Sequence, residues 1–148
     1  MRAVIQRVDS AKVSVNAQKI GEIAAGLLVY LGVEKGDQKS DADYLLDKIL
    51  NLRIFEDQEG KMNISLLDTG GGLLVISQFT LLADCRKGRR PSFANAEDPG
   101  PARALYEYFI SRAGAIVANV QSGEFQAMMK IESINDGPVT IVTESRKE

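Results

Sequence analysis

Gly26-Leu27-Leu28-Val29-Tyr30-Leu31-Gly32-Val33 is an unbroken apolar run. A surface helix would break it with polar residues at helical spacing, and it is too short to span a bilayer. The pattern predicts a central strand covered on both faces. Gly72-Leu73-Leu74-Val75 repeats its first four residues and runs through Ile76 into Ser77-Gln78-Phe79-Thr80-Leu81. Each run is followed, after a loop, by a helical pattern. A duplicated β-β-β-α unit would account for this, although four matched residues are all that carry the idea.

The first helix is expected to start at Ser40, with Asp43 completing a capping box. Its apolar stripe is Ala42, Leu45, Leu46, Ile49 and Leu50. The second opens on Asp98 as N-cap with Pro99 at its first position, and Gly114 marks its end. Ala102, Leu105, Tyr106, Phe109 and Ala113 form its buried face. Strand patterns cover residues 2–8, 53–55, 115–120, 128–134 and 139–142, with a hairpin of residues 12–15 and 20–23 across 16–19. Gly70-Gly71-Gly72 lacks the spacing of a nucleotide-binding fingerprint and reads as a flexible turn. These elements predict an α/β chain of the α+β kind. Its core is a mostly antiparallel, barrel-like or two-sheeted β structure covered by two helices. Residues 1–148 form one domain, with a charged tail from about residue 144.

An apolar content of 45% and a charged content of 26% are those of a globular protein with a real core. No run is long enough to cross a membrane, Met1-Arg2-Ala3-Val4 does not open as a leader, and Cys85 has no partner for a disulfide. A cytoplasmic protein without membrane partners is expected. The net charge of −2 provides no general attraction to nucleic acid. A nucleic-acid partner would need a local patch, and Arg86-Lys87-Gly88-Arg89-Arg90 is the candidate, against the plainer reading of a solvated loop. It lies in the polar connection 82–98, whose length favours a functional loop.

The chain has no histidine. That removes Ser-His-Asp and Cys-His catalysis, and one cysteine cannot close a typical zinc shell. No metal or cofactor is expected, although weak Mg²⁺ binding on carboxylates stays open. Chemistry would then rest on hydroxyls, carboxylates, lysine, backbone dipoles or the substrate. Ser77, Gln78, Phe79 and Thr80 stand where a buried strand meets a polar loop, and the N–H groups of Phe79 and Thr80 could form an oxyanion hole. Polar punctuation of a strand end is the alternative. Arg7 shares a strand face with Ala3 and Ile5, and is either partly buried with acceptors or a surface residue. Cys85 beside Arg86 and Lys87 lacks an orienting base and reads as incidental. Phe125, Ala127 and Met129, near a strand end, read as core before they read as a ligand pocket. In Asn135-Asp136-Gly137-Pro138-Val139-Thr140, Asp-Gly between two strand patterns normally marks a hairpin. The proline after it has no N–H to give, and Gly-Pro is where a cis bond is affordable.

Gln6-Arg7-Val8, Ser77-Gln78-Phe79-Thr80-Leu81, Arg90-Pro91-Ser92-Phe93, 123–129 and 135–140 occur in that order. In this the chain resembles the D-aminoacyl-tRNA deacylase family from Met1 to about Val142; Gln126 departs from it, where small residues are common. The resemblance implies hydrolysis of the ester joining a D-amino acid to the 3′ end of tRNA, and of glycine wrongly attached to alanine tRNA. It implies a homodimer with active sites at the interface. Gly137-Pro138 would be a cis dipeptide that reaches the partner's site and rejects L residues, with Arg7 bracing its carbonyls. Ser77, Gln78, Phe79 and Thr80 would surround the ester, while Phe125, Ala127 and Met129 bind the terminal adenosine. Thr80 is the obvious nucleophile, and the 2′-hydroxyl of the tRNA with a water is the competing and preferred activator.

Overall fold

The structure, a computed structural model, describes residues 1–146. Its centre is the pair of Gly-Leu-Leu-Val runs. Strands β1 (Arg2–Val15), β2 (Gln18–Ile23) and β3 (Gly26–Gly32) come first. Helix α1 (Lys39–Asn51), the small ribbon β4 (Phe55–Glu56) and β5 (Met62–Ile64), and the single-turn helix α2 (Leu66–Thr69) follow. Then come β6 (Gly72–Ser77), a 3-10 turn (Phe79–Leu82), α3 (Pro99–Gly114), β7 (Val120–Ser122) and β8 (Lys130–Glu144). The main sheet runs β2-β1-β3-β6-β7, with β8 on the other edge of β1. It is a nearly closed, barrel-like sheet with helices against it.

The two repeats pair with each other. β3 and β6 are parallel neighbours, with Gly26 opposite Gly72, Leu27 opposite Leu73, Leu28 opposite Leu74 and Val29 opposite Val75. Leu27, Val29, Leu31, Leu73 and Val75 pack against α1 and α3, together with Ala42, Leu45, Ile49, Leu105 and Phe109. Leu28, Leu74 and Ile76 turn to the other face, among Val8, Val13 and Ile23. Both faces are therefore apolar, which is why neither run alternates. A side chain on Gly26 would place its Cβ only 2.0 Å from the Gly72 carbonyl oxygen, so the strands meet there backbone to backbone. The expected mostly antiparallel core is thus mixed. β1 is antiparallel to β2, β3 and β8, while β3, β6 and β7 are parallel.

The largest departure concerns the ends of the chain. The expected strands at 2–8 and 12–15 are one strand, β1, and those at 128–134 and 139–142 are likewise one strand, β8. Asp136-Gly137 makes no hairpin. Gln6 pairs with Thr140 and Val8 with Asn135, so residues 136–139 bulge out opposite Arg7 alone. The β1–β2 hairpin turns on Asn16-Ala17, both at positive φ, in the tight two-residue manner.

Helix α1 starts earlier than Ser40. Gln38 is its N-cap, and its N–H donates to the Asp41 carboxylate at 2.8 Å. Asp43, expected in the cap, accepts from the Tyr108 hydroxyl at 2.8 Å and fastens α1 to α3. Helix α3 begins on Asp98 and buries Ala102, Leu105, Tyr106, Phe109 and Ala113, as its spacing predicts. The glycine triplet is not a plain turn. Gly70 is the left-handed C-cap of α2, and Gly72 already belongs to β6. The strand expected over 115–120 occupies Val120–Ser122 instead.

Of the charged tail, Lys147 and Glu148 lie outside the described residues. Arg146 is tied down by Asp37 and by the Lys35 carbonyl. No helix among the described residues is long and apolar enough to cross a membrane.

Candidate active site

At the C-terminal end of β6, the sheet opens into a cavity of about 700 Å³. Ser77, Gln78 and Phe79 line one side, and Phe125, Ala127 and Met129 line another. Six of the residues expected in the site therefore share one cavity. The Gln78 N–H donates to the Leu31 carbonyl at 2.9 Å, the last tie to β3 before the chain turns. Phe79–Leu82 then winds into a 3-10 turn, whose first N–H groups have no acceptor within the turn. Among the described residues, the N–H groups of Phe79 and Thr80 donate no hydrogen bond. Unengaged N–H groups of this kind can stabilise a developing oxyanion.

Tyr106 steadies the Phe125 wall from α3. Its hydroxyl donates to the Val75 carbonyl at 2.7 Å, an oxygen that also accepts the Gly123 N–H at 3.2 Å. The Tyr106 and Phe125 rings are 6.0 Å apart. Burial pushes the Tyr106 phenol up to about 12, so it is a neutral donor at ordinary pH. The turn carrying Phe125 closes where the Ala127 N–H meets the Glu124 carbonyl at 3.2 Å. Gln126, the departure from the family pattern, sits in that turn at φ +65° and lines the cavity.

Thr80 is exposed and does not line the cavity; its hydroxyl is the partner of the Gln78 side-chain amide. Arg7, Gly137 and Pro138 are also elsewhere. They form a second site at the β1–β8 bulge, where the Gly137–Pro138 peptide is cis and Gly137 takes φ +117°. A Cβ on Gly137 would sit 2.9 Å from Val139 Cγ2 and 3.2 Å from Arg7 Nη2, so both φ and space require glycine.

Arg7 is buried, as the face shared with Ala3 and Ile5 allows. It donates to the Ile54 carbonyl at 2.7 Å and the Asp136 carbonyl at 3.3 Å, and pairs with the Asp136 carboxylate at 3.1 Å. It therefore holds the residue before the dipeptide, not the dipeptide's own carbonyls. Gln6 holds the other flank, donating to the Val139 carbonyl at 3.3 Å and accepting from the Thr140 hydroxyl at 2.6 Å. Among the described residues no side chain bonds the carbonyls of Gly137 or Pro138, which are left on an exposed bulge.

Several residues lining the cavity were not expected there from the sequence. Glu97 and Asp98 line the cavity. Asp98 is the N-cap of α3, yet its side chain makes no capping hydrogen bond and remains available to the cavity. Phe93 also lines it, meeting Phe79 edge-on with ring centres 5.2 Å apart. No spacing rule joins these two rings; only the fold of the loop does.

A profile of the D-Tyr-tRNA(Tyr) deacylase family matches residues 4–144. The D-aminoacyl-tRNA deacylase of Syntrophus aciditrophicus is 60% identical over 147 residues, covering 99% of each chain. That of Clostridioides difficile is 58% identical at the same coverage. Among solved structures, the c-Myc DNA unwinding element binding protein superposes with a TM-score of 0.94 at 37% identity, over 99% of this chain and 100% of that one. Two separated groups of polar and apolar residues on a histidine-free barrel, and relatives that match it end to end, lead to one assignment: the chain belongs to the D-Tyr-tRNA(Tyr) deacylase family.

Proposed function

We propose that this protein hydrolyses the ester between a D-amino acid and the 3′-terminal adenosine of tRNA. A water adds to the ester carbonyl, the carbon–oxygen bond to the ribose breaks, and the 3′ oxygen leaves with a proton. The observation that carries this reading is the cavity beside β6, where Phe79, whose N–H is unengaged among the described residues, faces an apolar wall of Phe125, Ala127 and Met129, with the unengaged Thr80 N–H next in the chain at its rim. Such donors stabilise the tetrahedral oxyanion, and the wall suits a stacked adenine.

Substrate choice is assigned to the second site. The Gly137-Pro138 bulge is exposed and is not among the residues lining the cavity of its own chain, which fits a homodimer in which it enters the partner's cavity. There its carbonyls would meet the substrate α-ammonium and leave no room for an L side chain, selection by exclusion. Glycine carries no side chain to reject, so glycyl-tRNA mischarged on alanine tRNA is a second substrate. The activating group is the tRNA 2′-hydroxyl, because among the described residues the Thr80 hydroxyl has an amide as its partner, and an amide is no base.

The test compares D-tyrosyl-tRNA, L-tyrosyl-tRNA and D-tyrosyl-tRNA ending in 2′-deoxyadenosine. Cleavage of the first alone is expected. Cleavage of the deoxy form would return the chemistry to Thr80 or another protein group, and no cleavage of any would overturn the deacylase reading.

A further inference from the structure

We propose that the loop between Asp84 and Ser92 docks the phosphates of the tRNA 3′ strand through Lys87, Arg89 and Arg90. The proposal rests on the tRNA reading above and adds the surface that holds the rest of the substrate.

With a net charge of −2, the protein cannot gather RNA by its overall field. Attraction has to be local. The cavity cannot supply it, because Glu97 and Asp98 on its wall repel phosphate. The loop can. Its base is closed by two backbone hydrogen bonds between Asp84 and Ser92, at 2.7 and 2.9 Å. Its tip, Gly88, is exposed, and among the described residues nothing lies within 4 Å of where a Cβ would stand.

The cations on this loop are not equivalent. The Arg86 guanidinium grips the Asp84 carboxylate at 2.9 and 2.7 Å, so its charge is largely offset within the loop. Lys87, Arg89 and Arg90 are exposed and make no ion pair or hydrogen bond among the described residues. The residue after Ser92 is Phe93, which stacks edge-on against Phe79 at the cavity. Both rings are solvent-accessible, at 36% and 57%. Exposed aromatics next to unpaired cations make a platform for single-stranded nucleic acid, with rings for bases and charges for the backbone. The single-stranded 3′ end of a tRNA presents both.

The experiment uses the full chain with Lys87→Gln, Arg89→Gln and Arg90→Gln combined. The control, Lys39→Gln, Lys48→Gln and Lys61→Gln combined, removes equal charge from α1 and the β4–β5 ribbon. kcat/KM is measured against salt for D-tyrosyl-tRNA and for phosphate-free D-tyrosyl-adenosine. Each single-strand phosphate contact contributes roughly 0.7 to the logarithmic salt slope. The loop variant should therefore show a slope shallower by about 2 and a loss on the order of tenfold at low salt, confined to the tRNA substrate. The control should keep the wild-type slope. Equal loss on D-tyrosyl-adenosine, or an unchanged slope, would overturn the proposal. If the wild type cleaves neither ester, the deacylase reading fails by itself. The same titration of binding to uncharged tRNA then decides the loop: a slope shallower by about 2 upholds it, and an unchanged slope overturns it.

Discussion

Replacing Arg7 by methionine keeps most of the aliphatic stem and deletes the guanidinium, isolating what its hydrogen bonds contribute. The side chain is only 5% exposed, and its shortest contact is the 2.7 Å bond to the Ile54 carbonyl, at the end of the α1 connection. A charge-assisted bond of this kind contributes about 1.5–3 kcal/mol, and leaving a buried carbonyl unpaired costs about 1–3 kcal/mol. These describe one loss from two sides and are counted once, at about 2 kcal/mol. The Asp136 carboxylate is 47% exposed, so its 3.1 Å pairing adds only about 0.5–1 kcal/mol after solvent screening. Glu56, at 3.8 Å and 59% exposed, adds nothing worth counting. Arg7→Met should thus lose about 3 kcal/mol, enough to see and too little to unfold an ordinary domain. Arg7→Ala should lose a further 1–2 kcal/mol or so for the missing stem. Urea unfolding at pH 7 measures both, and the discrimination between D- and L-tyrosyl-tRNA should fall along with them as the 136–139 bulge loosens. A methionine variant within about 0.5 kcal/mol of wild type would refute the reasoning, since buried bonds of this geometry cannot be that cheap to lose.

Gly26→Ala forces a Cβ to 2.0 Å from the Gly72 carbonyl oxygen, so β3 and β6 must part at the centre of the sheet. A loss of more than about 4 kcal/mol is expected, visible as an insoluble or unfolded product. Burial holds the Tyr106 phenol at about 12, above the ordinary value near 10, because the folded state favours the neutral form. Its stabilising share is complete below pH 10 and is lost as pH rises from 10 through 12. Alkaline unfolding should show this as a slope worth about 2–3 kcal/mol that Tyr106→Phe removes. Thr80→Ala should lower kcat by less than about tenfold, checked in single-turnover hydrolysis of D-tyrosyl-tRNA; a loss beyond about a thousandfold would make Thr80 the nucleophile.

What was legible in the sequence follows from where burial is strong and local. The Gly-Leu-Leu-Val strands and the α3 face were legible because each is set by unbroken or strictly periodic apolar residues. The start of α1 was not, because Ser40-Asp41-Ala42-Asp43 offers two carboxylates able to cap, and only packing against Tyr108 claims Asp43 for another task. β8 was split in two because Asp-Gly-Pro is ordinary turn chemistry, and whether the chain reverses there depends on β1 lying alongside to receive both halves. The cavity was half legible. Ser77–Phe79 announced itself at a strand end, whereas Asp98 was already explained as a helix cap and gave no sign of being free.

The separation of the two sites within one chain bears on why a family resemblance could name both and local patterns could join neither. Arg7 and Gln6 are adjacent on β1 and hold opposite flanks of the bulge, Asp136 on one side and Val139 with Thr140 on the other. Neither bonds the Gly137 or Pro138 carbonyls between them. The arrangement fixes the ends of the dipeptide and leaves its middle presented outward, the geometry of a probe and not of a wall. The cavity, for its part, has N–H donors, an apolar wall and acidic residues, but no imidazole to take a proton. Each half lacks what the other offers: the bulge has carbonyls without a pocket, and the pocket has donors without a feature that could sense chirality. A protein that rejects one hand of an amino acid without touching its side chain needs both at once. In the proposed homodimer, the bulge entering a second copy's cavity would supply them together, and the discriminating element and the reacting element would then be separable by mutation.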